Sequence, residues 1–246
     1  MKFIHLTDTH FVPPGKLLYG RDPRIALDAA VKDINAHHAD AECLVLTGDL
    51  THWGEVAAFK NLADSLAPLT MPVHLLIGNH DKREVFHSHF PAAPADPNGF
   101  VQGTAETSAG LFVFLDTVEA GTHAGHYCAE RQAWLAETLN AATGDVFLFM
   151  HHPPFATGIP AADRIGLQQM APFRDVVEPH RAKIRHLFFG HVHRPMAGSW
   201  LGIPVSTLRA INHQVWFDME SAELQGSFEP PAYGVVLIAP ETVPII

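Results

Sequence analysis

The chain has 246 residues, which suffices for one α/β domain with a buried core. Its composition, 47% hydrophobic and 17% charged, excludes an intrinsically disordered protein. Its formal net charge of −10 argues against binding to long nucleic acid, because such binding depends on a basic surface that neutralises phosphates. The two cysteines form no CxxC pair, which excludes a disulfide framework.

The N-terminal segment predicts a buried strand that ends in polar residues. Residues 3–6 are apolar except for His5, and Thr7-Asp8-Thr9-His10 follows them directly. The run is too short, and too soon interrupted by Asp8, for a signal peptide. No apolar run approaches the roughly 20 residues of a membrane span. We therefore expect a cytoplasmic protein without a membrane partner.

Short apolar runs alternate with helical patterns along most of the chain. Asp22 and Pro23 predict the N-cap and first residue of a helix over 23–37. The other predicted helices are 54–67, 130–142 and 164–182. The apolar runs typical of buried strands are 3–6, 43–46, 73–77, 111–115, 146–150 and 186–189.

The remaining segments predict loops and β structure. Residues 91–110 are rich in proline, alanine, glycine and asparagine and predict a long surface loop. From about residue 197 the pattern changes to β-hairpins. Since strands alternate with helices and no boundary interrupts them, we expect a single α/β domain over 1–246 with a β-rich C-terminal part.

Polar motifs begin where five of the apolar runs stop. In α/β sheets, ligands bind outside the carboxyl ends of the strands, so these motifs are expected to converge. The motifs are Asp8-Thr9-His10, Gly48-Asp49, Gly78-Asn79-His80-Asp81, His151-His152 and Gly190-His191-Val192-His193.

The chemistry of these motifs indicates metal ions. Imidazole and carboxylate groups together suit zinc, manganese or iron, and the motifs contain no cysteine. Seven candidate ligands are too many for one ion but suit two ions that share a carboxylate. Two metals about 3.5–4 Å apart clamp the attacking and leaving oxygens of a phosphoryl displacement.

The order DxH, GD, GNHD, HH and GHxH over residues 4–193 resembles the calcineurin-like metallophosphoesterase superfamily. Residues 7–11, 18–20, 150–154 and 213–215 are similar to class III cyclic nucleotide phosphodiesterases and related glycerophosphodiesterases. The resemblance implies a four-layer αββα sandwich with two mixed sheets. It also implies hydrolysis of small phosphodiesters such as cyclic nucleotides by a metal-bound hydroxide, and a homo-oligomer.

The same resemblance assigns metal ligands to the motifs. Three residues would hold each of two ions, which would be iron, manganese or zinc, and Asp49 would bridge them. The ligands of the first ion would be Asp8, His10 and His193, and those of the second Asn79, His151 and His191.

Other residues would act on the substrate. The resemblance implies that His80 contacts the phosphate and assists the leaving group, and that Asp81 orients His80. His213 is similar to a substrate-contacting histidine of the glycerophosphodiesterase branch, with a solvated histidine as the alternative. Tyr19, with the leucines before it, would line the substrate pocket or only pack within its loop.

Several assignments have alternatives. The family pattern favours His151 over His152 as a ligand, which leaves His152 as a hydrogen-bond donor. Asn79 alternatively caps the helix that follows it. Residues without an assigned role are His52 and Arg209, which could face the cleft, and His123, which is expected at the surface.

Function also has alternatives. The GNHD motif and the absence of an arginine after Gly48-Asp49 argue against a protein phosphatase. A glycerophosphodiesterase or a broad phosphomonoesterase is the alternative among enzymes. A non-catalytic scaffold of the same fold is the alternative from another class, and the seven retained ligands and His80 argue against it.

Overall fold

A computed structural model of the chain describes residues 1–239 and 244–246, and in it two mixed sheets pack face to face. Strands are numbered along the chain. The first sheet contains, in spatial order, β12 (Gly234–Leu237), β1 (Lys2–Leu6), β2 (Leu44–Thr47) and β3 (Val73–Leu76). β1, β2 and β3 run parallel, and β12 is antiparallel to β1.

The second sheet has a parallel centre between antiparallel edges. Its strands are, in spatial order, β4 (Gly103–Thr107), β5 (Gly110–Phe114), β6 (Val146–Met150), β7 (Ile184–Phe189), β9 (Ile203–Thr207) and β8 (Met196–Trp200). A separate hairpin is formed by β10 (Gln214–Val215) and β11 (Gly226–Ser227).

Helices cover the outer face of each sheet. Those packed on the first sheet are α1 (Pro23–His37), α2 (Val56–Leu66) and α3 (Arg83–His89). Those on the second are α4 (Ala129–Ala141), α5 (Pro160–Asp163) and α6 (Met170–Val177), followed by a 3-10 turn at Glu178–His180. No helix in the described part of the chain is both long and apolar enough to cross a membrane.

The layer between the sheets is mostly aromatic. Phe3 of β1 contacts Phe112, Phe149 and Phe188 of the second sheet edge to face, with ring centroids 5.2 to 5.7 Å apart. These rings are fully buried. Such edge-to-face contacts add to the stabilisation from burial, by about 0.5–1.5 kcal/mol per pair. The four-layer αββα sandwich expected from the resemblance is confirmed.

Two predicted elements are wrong. The predicted loop 91–110 contains strand β4, whose residues alternate between half-buried and exposed at the sheet edge, so its composition is that of a loop. The predicted helix 164–182 begins only at Met170. The chain before it forms turns around an isolated β-bridge between Leu167 and Gly125. In this bridge Gln168 donates its N–H to the Gly125 carbonyl, and the Gly125 N–H donates to the Gly166 carbonyl, which interrupts the helix.

One buried histidine between the sheets makes stability depend on pH. His186 of β7 is 4% exposed, bonds Ser206 Oγ through Nε2 at 2.7 Å, and stacks on Phe188. Burial lowers the pKa of His186 to about 4. The unfolded chain, whose histidines titrate near pH 6.5, therefore binds more protons between pH 6.5 and 4, and the fold loses stability as pH falls through this window.

Replacing His186 with glutamine, which hydrogen-bonds but does not titrate, is expected to remove up to about 3 kcal/mol of this pH dependence. Urea unfolding of metal-free protein at a series of pH values measures it. His37→Gln, on the exposed end of α1, is the control. An unchanged dependence on pH would contradict the burial of His186 as its cause.

Candidate metal centre

The loops after β1, β2, β3, β6 and β7 meet at one edge of the two sheets, as expected from the strand-end motifs. The loops after β1, β2 and β7 turn sharply at motif residues whose backbone lies in the left-handed region, which non-glycine residues rarely adopt without strain. These residues are Asp8, His10, Asp49, His191 and His193, with φ between 46° and 73°.

Two motif glycines allow the loops to approach closely. A Cβ on Gly78 would lie 2.2 Å from Oδ1 of Asp49. A Cβ on Gly190 would lie 2.3 Å from Oγ1 of Thr7. Any side chain at these two positions would displace neighbouring loops, so glycine is required there.

The first cluster joins residues from the loops after β1, β2 and β7. Nε2 of His10 lies 3.0 Å from Nε2 of His193. Asp8 Oδ1 is 3.3 Å from Nε2 of His193, and Asp49 Oδ2 is 3.5 Å from Nε2 of His10. All four side chains are buried and have the residue types and spacing of a metal site.

The second cluster joins residues from the loops after β2, β3, β6 and β7. Oδ1 of Asn79 lies 3.1 Å from Nε2 of His151 and 3.0 Å from Nδ1 of His191. Oδ2 of Asp49 is 3.5 Å from Nε2 of His151. The backbone N–H of His80 donates to Oδ1 of the same carboxylate at 2.9 Å, so Oδ2 is the oxygen that faces both clusters.

The orientation of two histidines fits a cation. Nδ1 of His151 donates to the carbonyl of Thr47 at 2.8 Å, and Nδ1 of His193 donates to the carbonyl of His213 at 2.7 Å. In the neutral rings these bonds place the lone pair on Nε2, which faces a carboxylate oxygen. Two acceptors that face one another need a positive charge between them, so the donor set fits a metal ion.

The electrostatics of the clusters also favour positive charge. Burial alone would raise the pKa of Asp49, but its histidine neighbours, His151 above all, hold it well below its usual range. Burial opposes a charged His151, yet Asp49 raises the pKa of His151 to about 9. Burial lowers the pKa of His191 to about 3, so this ring is neutral and can act as a ligand.

His80 lies beside the clusters with one ring nitrogen already engaged. Its Nδ1 donates to the carbonyl of His52 at 2.8 Å, and the two imidazoles stack with centroids 4.5 Å apart. Nε2 is therefore the nitrogen left for a ligand.

Asp81 does not orient His80, which corrects the expectation from the sequence. Its carboxylate accepts hydrogen bonds of 2.8 to 2.9 Å from the backbone N–H groups of Leu50, Thr51 and Gly78. The reason is the turn of the GNHD motif, in which the Asp81 N–H donates to the Gly78 carbonyl at 3.0 Å and the side chain folds back beneath the loop. Asp81 thus joins two motif loops.

The two residues to which the sequence assigned no role lie in different places. His52 is 7% exposed, and its Nδ1 lies 3.1 Å from Nδ1 of His10. Arg209 instead pairs with Glu229, with Nη2 and Oε2 3.4 Å apart. His52 therefore belongs to the site, where it contacts His10 and His80.

Tyr19 and His213 form one side of the site. Their ring centroids are 4.8 Å apart, and the His213 ring lies 4.9 Å from that of His10 and 4.6 Å from that of His193. His213 is 9% exposed, and burial lowers the pKa of His213 to about 3, so the alternative of a solvated histidine is wrong.

A chain of hydrogen bonds connects Asn79 to His123, His152 and Thr117. Nδ2 of Asn79 donates to Nδ1 of His123 at 2.9 Å, and the His123 carbonyl accepts from Nε2 of His152 at 3.2 Å. Nδ1 of His152 accepts from Oγ1 of Thr117 at 2.7 Å. Nε2 of His152 is directed to the His123 carbonyl, whereas Nε2 of His151 faces Asp49 and Asn79, so His151 is the better candidate ligand.

His123 was expected at the surface, and it is exposed there, but its hydrogen bond to Asn79 was not anticipated from the sequence. The available signal was position: the loop that carries His123 leaves the carboxyl end of β5, the parallel neighbour of β6, and so starts at the same edge of the sheet. Asp116 and Thr117 follow β5, but they and their spacing to His123 match no metal-ligand motif, so the pattern does not indicate that His123 reaches the site.

His123→Ala is expected to weaken binding at the second cluster about 10- to 100-fold, because the hydrogen bond to Nδ2 turns the Asn79 oxygen toward the cluster. Titration of metal-free protein with Mn²⁺ measures the affinity of each site. His126→Ala in the same loop is the control, since only the backbone N–H of His126 is described in a hydrogen bond, to Thr117. Equal affinities for both variants would show that His123 does not position Asn79.

Two mixed sheets between helical layers, with aspartate, asparagine and histidine clustered at the strand ends, are the fold and site of a metallophosphoesterase. Residues 1–195 match the model of the calcineurin-like phosphoesterase family, and the chain belongs to this family. The resemblance noted from the motifs is confirmed, and the protein is a hydrolase.

Three relatives align along nearly the whole chain. The chain is 45% identical over 250 residues to a probable cyclic nucleotide phosphodiesterase of Rhodopseudomonas palustris, covering 100% of this chain and 91% of that protein. It is 30% identical over 240 residues to a probable glycerophosphodiester phosphodiesterase of Arcobacter nitrofigilis, covering 94% and 86%. It is 27% identical over 251 residues to a cAMP/cGMP dual specificity phosphodiesterase of Mycobacterium tuberculosis, covering 98% and 76%.

A solved structure shows the same fold. The purple acid phosphatase from yellow lupin (Lupinus luteus) seeds aligns with a TM-score of 0.66 and 14% identity. The alignment covers 96% of this chain but 48% of the plant enzyme, so the chain spans about half the length of that protein.

Proposed function

We propose that this protein hydrolyses small phosphodiesters, cyclic nucleotides among them, at a centre of two metal ions. The position of Asp49 supports this most directly, since its Oδ2 lies 3.5 Å from Nε2 of His10 in the first cluster and 3.5 Å from Nε2 of His151 in the second. One carboxylate oxygen between two ligand clusters is the arrangement of a bridging ligand.

The proposed ligands divide between two ions of iron, manganese or zinc. When bound, the ions would neutralise the phosphate and lower the pKa of a coordinated water to about 7. The proposed ligands of the first ion are Asp8, His10 and His193, those of the second are Asn79, His151 and His191, and Asp49 is shared.

His80 acts on the leaving group in this proposal. The oxygen of water forms a bond to phosphorus and the P–O bond to one alcohol breaks. A linear diester then releases a monoester and an alcohol, whereas a cyclic nucleotide opens to a single monoester that carries the freed hydroxyl group. Because Nδ1 of His80 donates to the His52 carbonyl, it is the imidazolium form of the ring that carries a proton on Nε2, oriented to be given to the departing oxygen.

The surrounding charges favour diesters over monoesters. A monoester carries an extra negative charge, which an arginine directed at the phosphate would favour. Arg83 is instead bound to both carboxylate oxygens of Asp116, at 2.7 and 3.0 Å, and Arg194 is bound to Glu229 at 2.6 Å. The arginines next to the motifs are thus already paired.

The expected result is a higher kcat/KM for bis(p-nitrophenyl) phosphate than for p-nitrophenyl phosphate, with measurable hydrolysis of 3′,5′- or 2′,3′-cyclic nucleotides. Release of nitrophenolate by metal-loaded protein measures the first two. If the monoester is better by tenfold or more, which is about 1.4 kcal/mol of transition-state preference, the phosphodiesterase proposal is wrong.

A glycerophosphodiesterase is the second candidate, favoured by a polar cavity next to the clusters. This cavity of about 590 Å³ is lined by His80 and Tyr19 and also by Lys82, Glu84 and Glu119. Hydroxyl groups of a glycerol substituent would find both donors and acceptors there. Comparing kcat/KM for glycerophosphocholine and cyclic AMP decides between the two candidates.

A further inference from the structure

We infer that the β10–β11 hairpin is the element that selects the substrate, by binding a nucleobase on its inner side. This inference rests on the proposed function and specifies it further: the organic group recognised next to the phosphate is a planar heteroaromatic ring. The ligand clusters would hold the phosphate, and the hairpin would hold the base.

The cavity above the clusters has two chemically different sides. Its volume is about 440 Å³, large enough for a nucleotide. One side consists of the candidate ligands and His80. The other side is apolar and is built from Tyr19, Ile165, Val215, Leu224 and Phe228. Three of these five belong to the hairpin and its flanking residues.

Phe228 is the most suitable residue for contact with a base. Its side chain is 60% exposed although it lines the cavity, so the ring offers a large apolar surface to a ligand. Arg21 lies against this ring, with its guanidinium carbon 4.6 Å from the centroid, and donates to the Phe228 carbonyl at 3.0 Å. The aromatic surface is thereby fixed in place before a ligand binds.

The hairpin depends on side chains from elsewhere to keep its position. Its strands pair over only two residues each, and an isolated hairpin of this size is at best marginally stable. Arg194, next to the candidate ligand His193, donates to the Val215 carbonyl at 3.1 Å and to Glu229 at 2.6 Å. This arginine connects β10, and the segment that follows β11, to the loop that carries two candidate ligands.

The hairpin lies outside the part of the chain that matches the family model. That match ends at residue 195 and includes every candidate ligand, whereas the apolar residues of the hairpin lie between 215 and 228. The candidate ligands and the apolar residues of the hairpin are therefore encoded in separate segments. An exposed aromatic ring beside the proposed phosphate site suits a nucleobase, since any base can stack on an aromatic side chain.

The experiment compares binding of 5′-AMP and ribose 5-phosphate, which differ only in the base, to manganese-loaded protein by isothermal titration calorimetry. We expect 5′-AMP to bind at least about 10-fold more tightly, as stacking of one base provides. Phe228→Ala should reduce this ratio at least about 5-fold without changing the affinity for ribose 5-phosphate. Phe217→Ala, which removes an exposed ring of the same hairpin that does not line the cavity, should leave the ratio unchanged.

An unchanged ratio in Phe228→Ala, or equal affinities of the two ligands for the wild-type protein, would overturn the inference. If Phe228→Ala binds neither ligand, the ratio measured for Leu224→Ala decides by the same criterion. The readout is separate from catalysis. Protein that shows the ratio but does not hydrolyse bis(p-nitrophenyl) phosphate would disprove the proposed function alone, and the reverse result would disprove the inference alone.

Discussion

Asp49→Ala is expected to lose tight binding at both clusters and at least about 10³-fold in kcat/KM, because a water that is no longer activated by metal has a pKa far above 7. The variant removes a side chain that lies within 3.5 Å of ligand atoms of both clusters. It also removes the acceptor of the His80 backbone N–H, and with it a hydrogen bond between the loops after β2 and β3.

Metal analysis after dialysis, together with kcat/KM for bis(p-nitrophenyl) phosphate, measures this effect. Wild-type protein should contain two ions per chain and the variant fewer than one. Asp64→Ala, an exposed aspartate of α2, is the control and should retain both. A wild-type content of one ion at saturation would disprove the dinuclear proposal, and two ions in Asp49→Ala would disprove the bridging role.

His80→Ala is expected to keep both ions but to lose about 10²–10⁴-fold in kcat, the range typical of general acid catalysis. The physical reason is that His80 directs Nε2 toward the cavity, with Nδ1 bound to the His52 carbonyl, while its ring belongs to neither proposed ligand set. Metal content and kcat therefore separate this variant from Asp49→Ala.

The leaving group sharpens the test of His80. Nitrophenolate leaves without a proton, whereas a ribose alkoxide requires one, so the loss should be much larger for 3′,5′-cyclic AMP than for bis(p-nitrophenyl) phosphate. His87→Ala on α3, whose ring bonds the Gly99 carbonyl, is the matched control. An equal loss on both substrates would assign His80 to binding the phosphate, and a loss of metal would disprove the assignment entirely.

The sequence predicted the convergence of the motifs because strand ends are marked by local pattern. The apolar run of a buried strand stops where the polar residue begins, and parallel strands bring those ends to one edge. Asp8 and His191, 183 residues apart in the chain, are thus joined by a hydrogen bond of 3.2 Å that this rule anticipates. The helix over 23–37 was likewise predicted with its observed bounds, because Asp22 and Pro23 are local start signals.

Features that depend on how loops fold against one another were not predictable. Asp81 was expected to orient His80 because the two are adjacent in sequence, but a turn directs its carboxylate to other backbone groups. The apolar wall expected from the leucines before Tyr19 is provided by the hairpin instead, since Leu18 is buried and Leu17 faces away from the site. His123 reaches Asn79 from a loop that carries no motif.

Each ligand cluster draws on both sheets of the sandwich. In the described residues, no strand of the first sheet is hydrogen-bonded to a strand of the second, and the two sheets pack through the apolar, mostly aromatic layer between them. An ion between Asp8 and His193, or between Asn79 and His151, would connect one sheet to the other. At a concentration 1,000 times its Kd, each such ion adds about 4 kcal/mol to the free energy of unfolding. The bound ions would then also cross-link the two sheets. Depletion of metal in the cell would lower the free energy of unfolding together with the activity.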